Sequence, residues 1–306
     1  MLINVAPLVA ALTGGLAFVL YARDAEGRPF IAPRGGTSRN IVARSPGVGR
    51  PALVVVAHMD SARASMSFHP RLVGNIRVSI VVLNVALAAV PIIGGAAWVA
   101  EAGRELPTAL WLPAIVLAAY LLFGAGLQVH SLVRMPFVAG ANDNASGVEV
   151  LMRAATELRG RPVWFVVTGS EEAGMIGAQA FLRRHVREVG GAPVLNIDNV
   201  GAGRLVAASD EGILRSRPAN GYLLDVAQAA GAEIAPWRAF PTDATVVMAH
   251  RLPALTLIAL DDRGVPPHWH WPSDVAAAID PSTIAAAAAI VRSVAAACLD
   301  EEARTR

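Results

Sequence analysis

The sequence contains no lysine, one cysteine and few charged side chains: 16% of its 306 residues are Asp, Glu or Arg, against roughly 25% in an ordinary soluble domain. So little charge beside so much apolar content excludes a disordered chain and argues against a wholly soluble one. The single cysteine, Cys298, excludes an internal disulfide framework and a cysteine-built metal cage, and leaves the redox compartment open. The missing lysine, with arginine carrying all the strong positive charge and alanine abundant, reads as a coding bias rather than a site. Twenty-six basic residues against 24 acidic give a net charge of +2, so no nucleic-acid partner is expected. What is present in excess is apolar: 54% of the residues are hydrophobic, and the mean hydropathy is +0.48.

The excess sits in three stretches without a charged side chain: Met1 to Ala22, Val78 to Ala100 and Leu106 to Val133, the last two 23 and 28 residues long. About 20 helical residues cross the roughly 30 Å hydrocarbon layer of a bilayer, so the second and third stretches read as a transmembrane hairpin. The alternative, two buried helices of a large soluble core, fits poorly with helices apolar on every side. Their short connection, Glu101 to Leu106, makes them antiparallel neighbours, and Gly94, Gly95, Ala96 and Ala97 facing Gly124, Ala125 and Gly126 are expected to let the backbones approach closely. The first stretch lacks a basic segment before it and contains Pro7, Gly14 and Gly15, so it reads as a third membrane helix rather than a signal peptide. Nine arginines against three acids between Arg23 and Arg77, and one arginine against two glutamates in the hairpin loop, place the hydrophilic chain on the cytoplasmic side.

Outside these stretches strand and helix patterns alternate. Ala52 to Ala57, Val163 to Thr168, Pro193 to Ile197 and Ala254 to Leu260 are short runs apolar on both faces, as strands buried in a parallel or mixed sheet are. Ser146 to Leu158, Ala173 to His185, Asn220 to Ala230 and Ser282 to Leu299 have helical spacing. The expected class is α/β, a mixed and mostly parallel sheet with helices on both faces, and in such sheets ligands bind beyond the carboxyl ends of the strands. There the sequence gathers His58 and Asp60, Glu171 and Glu172, Asp198, a loop containing Asp143, and His270. Carboxylates so grouped repel one another unless cations sit among them, and imidazole with carboxylate suits zinc.

At these residues the sequence resembles the M28 family of zinc metallopeptidases, the di-zinc aminopeptidase-like group. The matching pieces, in order, are AHMDS at 57 to 61, GANDNASGV at 140 to 148, SEEAGMIGA at 170 to 178, NIDNVG at 196 to 201, TDATVV at 242 to 247 and HWPSD at 270 to 274. They span nearly all of the hydrophilic chain. The departure is the 85 residues from His58 to Asp143, where the family has a short loop and this chain inserts its hairpin. The expected organisation is a membrane helix at 1–22, a discontinuous peptidase domain at 23–73 and 138–306, and an inserted hairpin at 74–137, with the bilayer surface near the site.

The resemblance implies two zinc ions, one held by His58, Asp143 and Asp198 and the other by Asp143, Glu172 and His270, with Asp143 shared between them. It implies that the Asp143-Asn144 peptide is cis, that Asp60 orients the His58 imidazole, and that Glu171 is the general base of peptide hydrolysis. Trp269 stands where many members have a tyrosine that helps stabilise the oxyanion, and its indole offers only an N–H. His268 would share a face with His270 in an extended segment, the motif favours His270, and Asp274 is expected to cap the next segment or support His270. Asp243 matches an acidic family position with no role that spacing assigns, and His69, His130, His185 and His250 match no ligand position. The function implied is a membrane-bound exopeptidase, most simply an aminopeptidase acting on peptides. A catalytically silent membrane scaffold, a di-zinc carboxypeptidase or dipeptidase and a glutaminyl cyclase stay open, since they differ in pocket walls rather than in ligands. Substrate side chain and oligomeric state are not legible.

Overall fold

The computed structural model describes residues 36–45, 49–101, 111–212 and 215–305, with positions 12, 15, 16 and 19 nearer the start. The membrane helix expected at 1–22 and the hairpin loop after Glu101 lie outside the described residues. In chain order the elements are β1 (Ile41–Ala43), β2 (Leu53–His58), α1 (Ile76–Glu101), α2 (Trp111–Arg134), α3 (Ser146–Glu157), β3 (Val163–Thr168), α4 (Ile176–Val189), β4 (Val194–Asp198) and β5 (Arg204–Glu211). There follow β6 (Arg217–Pro218), α5 (Gly221–Ala229), β7 (Glu233–Trp237), α6 (Asp243–Ala249), β8 (Ala254–Leu260) and α7 (Pro281–Thr305).

The strands form one eight-stranded sheet in the order β1-β3-β2-β4-β8-β5-β6, with β7 beside β5. At its centre β3, β2, β4 and β8 are parallel, while β1 runs antiparallel to β3 and β5 runs antiparallel to β8 and β6 but parallel to β7. Each central strand is buried along its whole length, which is why its sequence is mainly apolar, with the buried Asn196 and Thr256 hydrogen-bonded to each other across β4 and β8. Alternate side chains go to opposite faces: Leu53, Val55 and Ala57 pack with α3, α5 and α7, and Val54 and Val56 with α4 and α6. The four strands that apolar runs do not announce, β1, β5, β6 and β7, lie toward the sheet edges. β7 is largely exposed and carries charge and proline (EIAPW), while β5 is buried on both faces only in its middle, at Val206, Ala207 and Ala208, and carries charge toward its ends (RLVAASDE).

Helix α4 begins at Ile176, three residues later than its periodicity from Ala173 predicts. The residues before it form a turn, with positive φ at Ser170, Gly174 and Met175, so Glu171 and Glu172 sit on a loop ahead of the helix rather than in its first turn.

Among the described residues three segments are long and apolar enough to cross a membrane: Val73–Ala96, Leu112–Arg134 and Pro281–Arg304. The first two form the hairpin, tied together where the Tyr120 hydroxyl donates to the Ser79 carbonyl at 2.8 Å. Among the described residues a methyl group added at Gly124 or Gly126 would meet nothing within 4 Å, so the expected close approach is not made at these two glycines by any described residue. The hairpin is stitched to the chain below it. The buried Ser131 hydroxyl donates to the Ala64 carbonyl at 2.5 Å, and the Arg63 guanidinium donates to the Met135 carbonyl at 2.6 Å.

Candidate metal centre

The parallel register brings the carboxyl ends of the central strands level, with His58 opposite Thr168 and Asp198 opposite Ile258. His58 and Asp198 are thus the last residues of neighbouring strands, and both are buried. Asp143 comes from a turn wedged against these ends. The turn opens at Gly140, whose φ of +69° suits glycine; a Cβ there would lie 2.8 Å from both the Ser61 Cβ and the Asp143 carbonyl oxygen. The Asp143-Asn144 peptide is cis.

Three side chains fix this turn. The Asn144 amide donates to the Ile197 carbonyl at 2.9 Å, and its oxygen accepts from the Gly147 and Asn199 N–H groups, each at 3.1 Å. Asn142 bridges the Pro267 carbonyl and the Gly201 N–H. The Asp274 carboxylate accepts from the main-chain N–H groups of Asn142 and Asp143 at 2.6 and 3.2 Å. Asp274 therefore neither caps a helix nor supports His270: it holds the backbone that presents Asp143.

The two oxygens of Asp143 face two different groups. Oδ1 lies 3.1 Å from His58 Nε2, which is 3.5 Å from the Asp198 carboxylate. Oδ2 lies 3.1 Å from His270 Nε2, which is 3.2 Å from Glu172 Oε2. His58, Asp143 and Asp198 offer ligand atoms within 4.8 Å of one another, as do Asp143, Glu172 and His270, and as do His58, Glu171 and Glu172. Glu171 thus stands at the edge of both groups. His268 turns away and bonds Ser273 at 2.8 Å.

Asp60 is divided between two tasks. Its main-chain carbonyl, 3.1 Å from His58 Nδ1, orients the imidazole, while its carboxylate lies farther off at 3.7 Å. The carboxylate instead accepts the N–H groups of Glu171 and Glu172 at 3.0 and 3.1 Å, pinning the loop that presents both glutamates.

Electrostatics follow from this crowding. Burial alone would lower the His58 imidazole, but Asp143, Asp198 and Asp60 outweigh it and hold it well above its ordinary value; His270 is raised in the same way by Glu172 and Asp143. Burial pushes Glu171 well above the carboxylate range, aided by Glu172, Asp243 and Asp198 and opposed by His58. Burial likewise raises Asp243, to about 6, against the Thr168 hydroxyl bonded to it. Among the described residues Asp143 Oδ2, 3.1 Å from His270 Nε2, and Glu172 Oε1 are buried oxygens with no hydrogen bond of good geometry. Beside two imidazoles such oxygens suit a cation, and a donor set of imidazole nitrogens and carboxylate oxygens fits zinc.

The cluster lines a cavity of about 300 Å³ walled by Phe68, Trp237, Phe240 and Trp269. The Phe68 ring packs 4.9 Å from Trp269 and 4.5 Å from His270, centroid to centroid. Gln128 of α2 lines the same cavity. Phe68, Trp237, Phe240 and Gln128 escape the sequence motifs; for Gln128 the available signal is an amide inside the charge-free part of a mainly apolar helix. Glu211 is missed as well. It is completely buried at the end of β5 and accepts the hydroxyls of Thr242 and Thr245, both at 2.8 Å.

The model of a known family, described as peptidase family M28, matches residues 120–295, more than half of the chain. That span contains Asp143, Glu171, Glu172, Asp198 and His270, and begins inside α2. No curated protein matches the chain. Among solved structures, the aminopeptidase LapA of Legionella pneumophila is similar with a TM-score of 0.52 at 12% identity, over 95% of this chain and 64% of that one. A zinc aminopeptidase from Bacillus subtilis aligns with a TM-score of 0.50 at 16% identity, over 83% of this chain and 48% of that one. A glutaminyl cyclase from Tannerella forsythia aligns with a TM-score of 0.51 at 17% identity, over 94% and 96%. This chain thus spans less than two thirds of the length of either aminopeptidase, and at these identities the likeness is one of fold.

Proposed function

The chain belongs to peptidase family M28, and from that premise we propose that it is a membrane-bound, zinc-dependent exopeptidase, an aminopeptidase acting on the N-terminal bond of a peptide. The observation that carries this reading is Asp143 with each oxygen turned to a separate imidazole-carboxylate group and Glu171 beside both. One zinc would be held by His58, Asp143 and Asp198, and the other by Asp143, Glu172 and His270. Bound there, zinc supplies Lewis acidity that makes water a better nucleophile and polarises the scissile carbonyl. Glu171 takes a proton from the attacking water as its oxygen bonds to the carbonyl carbon, then gives it to the amine nitrogen as the C–N bond breaks. Asp60 acts through others, fixing the His58 ring and the Glu171 loop. The peptidase part comprises 23–73 and 138–306, the hairpin at 74–137 anchors it in the bilayer, and the arginine excess before the hairpin favours a cytoplasmic site.

Elemental analysis of detergent-purified protein tests the centre: about two zinc ions per chain in the parent and a large loss in Asp143→Ala are expected. Turnover of amino-acyl anilides should fall by about 10²- to 10⁴-fold in Glu171→Gln with metal content kept. Negligible zinc in the parent, or equal turnover in the variant, would remove this mechanism. A second reading, cyclisation of an N-terminal glutaminyl residue, is supported by the likeness in fold to a glutaminyl cyclase over nearly the whole of both chains. Mass spectrometry of a glutaminyl peptide separates the two, since cyclisation leaves the chain length unchanged.

A further inference from the structure

Gln128 lies six residues before Arg134, the first charge met on leaving the charge-free stretch of 28. At 1.5 Å per residue that is about 9 Å along the helix into the apolar zone. At that depth it lines the same cavity as His58, Glu171 and His270. Beside it Val129, Leu132 and Val133 are 59%, 69% and 71% exposed, an apolar surface next to the cavity rim. The hairpin is not loosely hung: Ile76 and Ile80 of α1 share one apolar cluster with Trp237, Ile258 and Trp269, and those three line the cavity.

We propose that the hairpin is a wall of the substrate site, and that the substrate is a peptide anchored in the same membrane by an apolar segment a few residues downstream of its free N-terminus. This rests on the exopeptidase reading above. Removal of an N-terminal residue needs a free α-amine, so the anchor has to follow the scissile bond rather than precede it. A soluble peptide must leave bulk water to reach a cavity bordered by lipid-facing helix, whereas an anchored chain is already held at that level. Phe68, Trp237 and Phe240 offer an apolar aromatic wall for side chains near the N-terminus of such a peptide. Gln128 supplies an amide to the peptide main chain where water is scarce, as a positioning residue.

The test uses the full-length, zinc-loaded protein in phosphatidylcholine vesicles and peptides with one N-terminal sequence: soluble, anchored through a spacer of about 3 residues, and anchored through a spacer of about 15, which extends to roughly 50 Å. The two anchored peptides are compared at equal surface density, so membrane concentration alone does not separate them. The short spacer should exceed the long one in kcat/KM by about tenfold or more, with the soluble peptide lowest, and Gln128→Ala should reduce the advantage of the short spacer. Equal rates for both spacers, or a faster soluble peptide, would overturn the proposal while leaving hydrolysis itself intact. No turnover of any peptide or amino-acyl anilide would overturn the exopeptidase reading and this inference with it.

Discussion

Helix α7 and the hairpin helices α1 and α2 are all long and apolar enough to cross a membrane, yet 56% of the apolar window of α7 is buried, against 17% and 0% in the hairpin. In α7 the buried apolar groups recur three or four residues apart, at Ile284, Ala287, Val291, Val294 and Cys298, and all belong to the cluster that packs on the sheet. Its outward positions are alanines with Arg292, Ser293 and Asp300, which water tolerates at little cost. The hairpin instead turns Val81, Ile92, Ile115, Leu122 and Phe123 outward, each more than half exposed. An average over a window cannot distinguish these cases, because it counts a small alanine as apolar and ignores which face carries the bulk. An unpartnered surface of Val, Leu, Ile and Phe on this scale marks a site of membrane or protein contact.

Placing the same charge in both regions would break or sharpen the contrast. Val291→Arg, at a position with no solvent exposure, buries an unpaired charge against the sheet and should cost about 3–5 kcal/mol, enough to abolish a cooperative melt in detergent. Leu122→Arg, at a position 74% exposed, should change the melt by no more than about 0.5 kcal/mol. The same change should cost about 2.5–3.5 kcal/mol of membrane insertion, read as protein released from membranes by alkaline extraction. If Val291→Arg melts normally while Leu122→Arg unfolds the protein, the two regions have been assigned to the wrong solvents. Cys298 offers a milder probe. Burial pushes its thiol up to about 11, so its thiolate fraction near neutral pH should be roughly 100-fold below that of an exposed thiol. Maleimide should label it slowly until denaturant is added, and label a Ser293→Cys replacement, on the exposed face of the same helix, at once.

The division between what sequence reveals and what it hides follows the same physics. β2, β3, β4 and β8 are legible because burial on both faces makes them mainly apolar, and β5 and β7 are not, because β5 is apolar only over a short middle and β7 is largely exposed. His58, Asp143, Glu171, Glu172, Asp198 and His270 are legible because each lies in a short motif at the end of a strand or in a loop. Asp274 was harder: its carboxylate serves a backbone 131 residues earlier, and no local pattern encodes that distance. Gln128 reaches the cavity only because the inserted hairpin folds back onto the domain, and Phe68 because the segment before the hairpin packs on Trp269 and His270, tertiary facts that periodicity does not contain.

Glu211 gives the smallest expected effect and carries the contrast into polar groups, since it is a carboxyl placed inside the sheet side of the molecule. Burial raises it above the ordinary carboxylate range, and the hydroxyls of Thr256, Thr245 and Thr242 offset that only in part. One of its oxygens, Oε1, has no partner. A carboxyl whose folded-state value is raised holds its proton longer in the native chain than in the unfolded one. Stability is therefore greatest below the unfolded value, falls as pH rises through the window up to the folded value, and stays lowered above it. Glu211→Gln keeps an acceptor for the two threonines and places an uncharged amide where Oε1 stood, so it should remove this decline. Melting temperatures of parent and variant, measured side by side from about pH 4 to pH 8, should then diverge with rising pH in favour of the variant. A variant that loses ground as pH rises would mean that the charged form of Glu211 is held by a cation or donor inside the sheet, and the polar interior beside α6 would have to be assigned to the metal site.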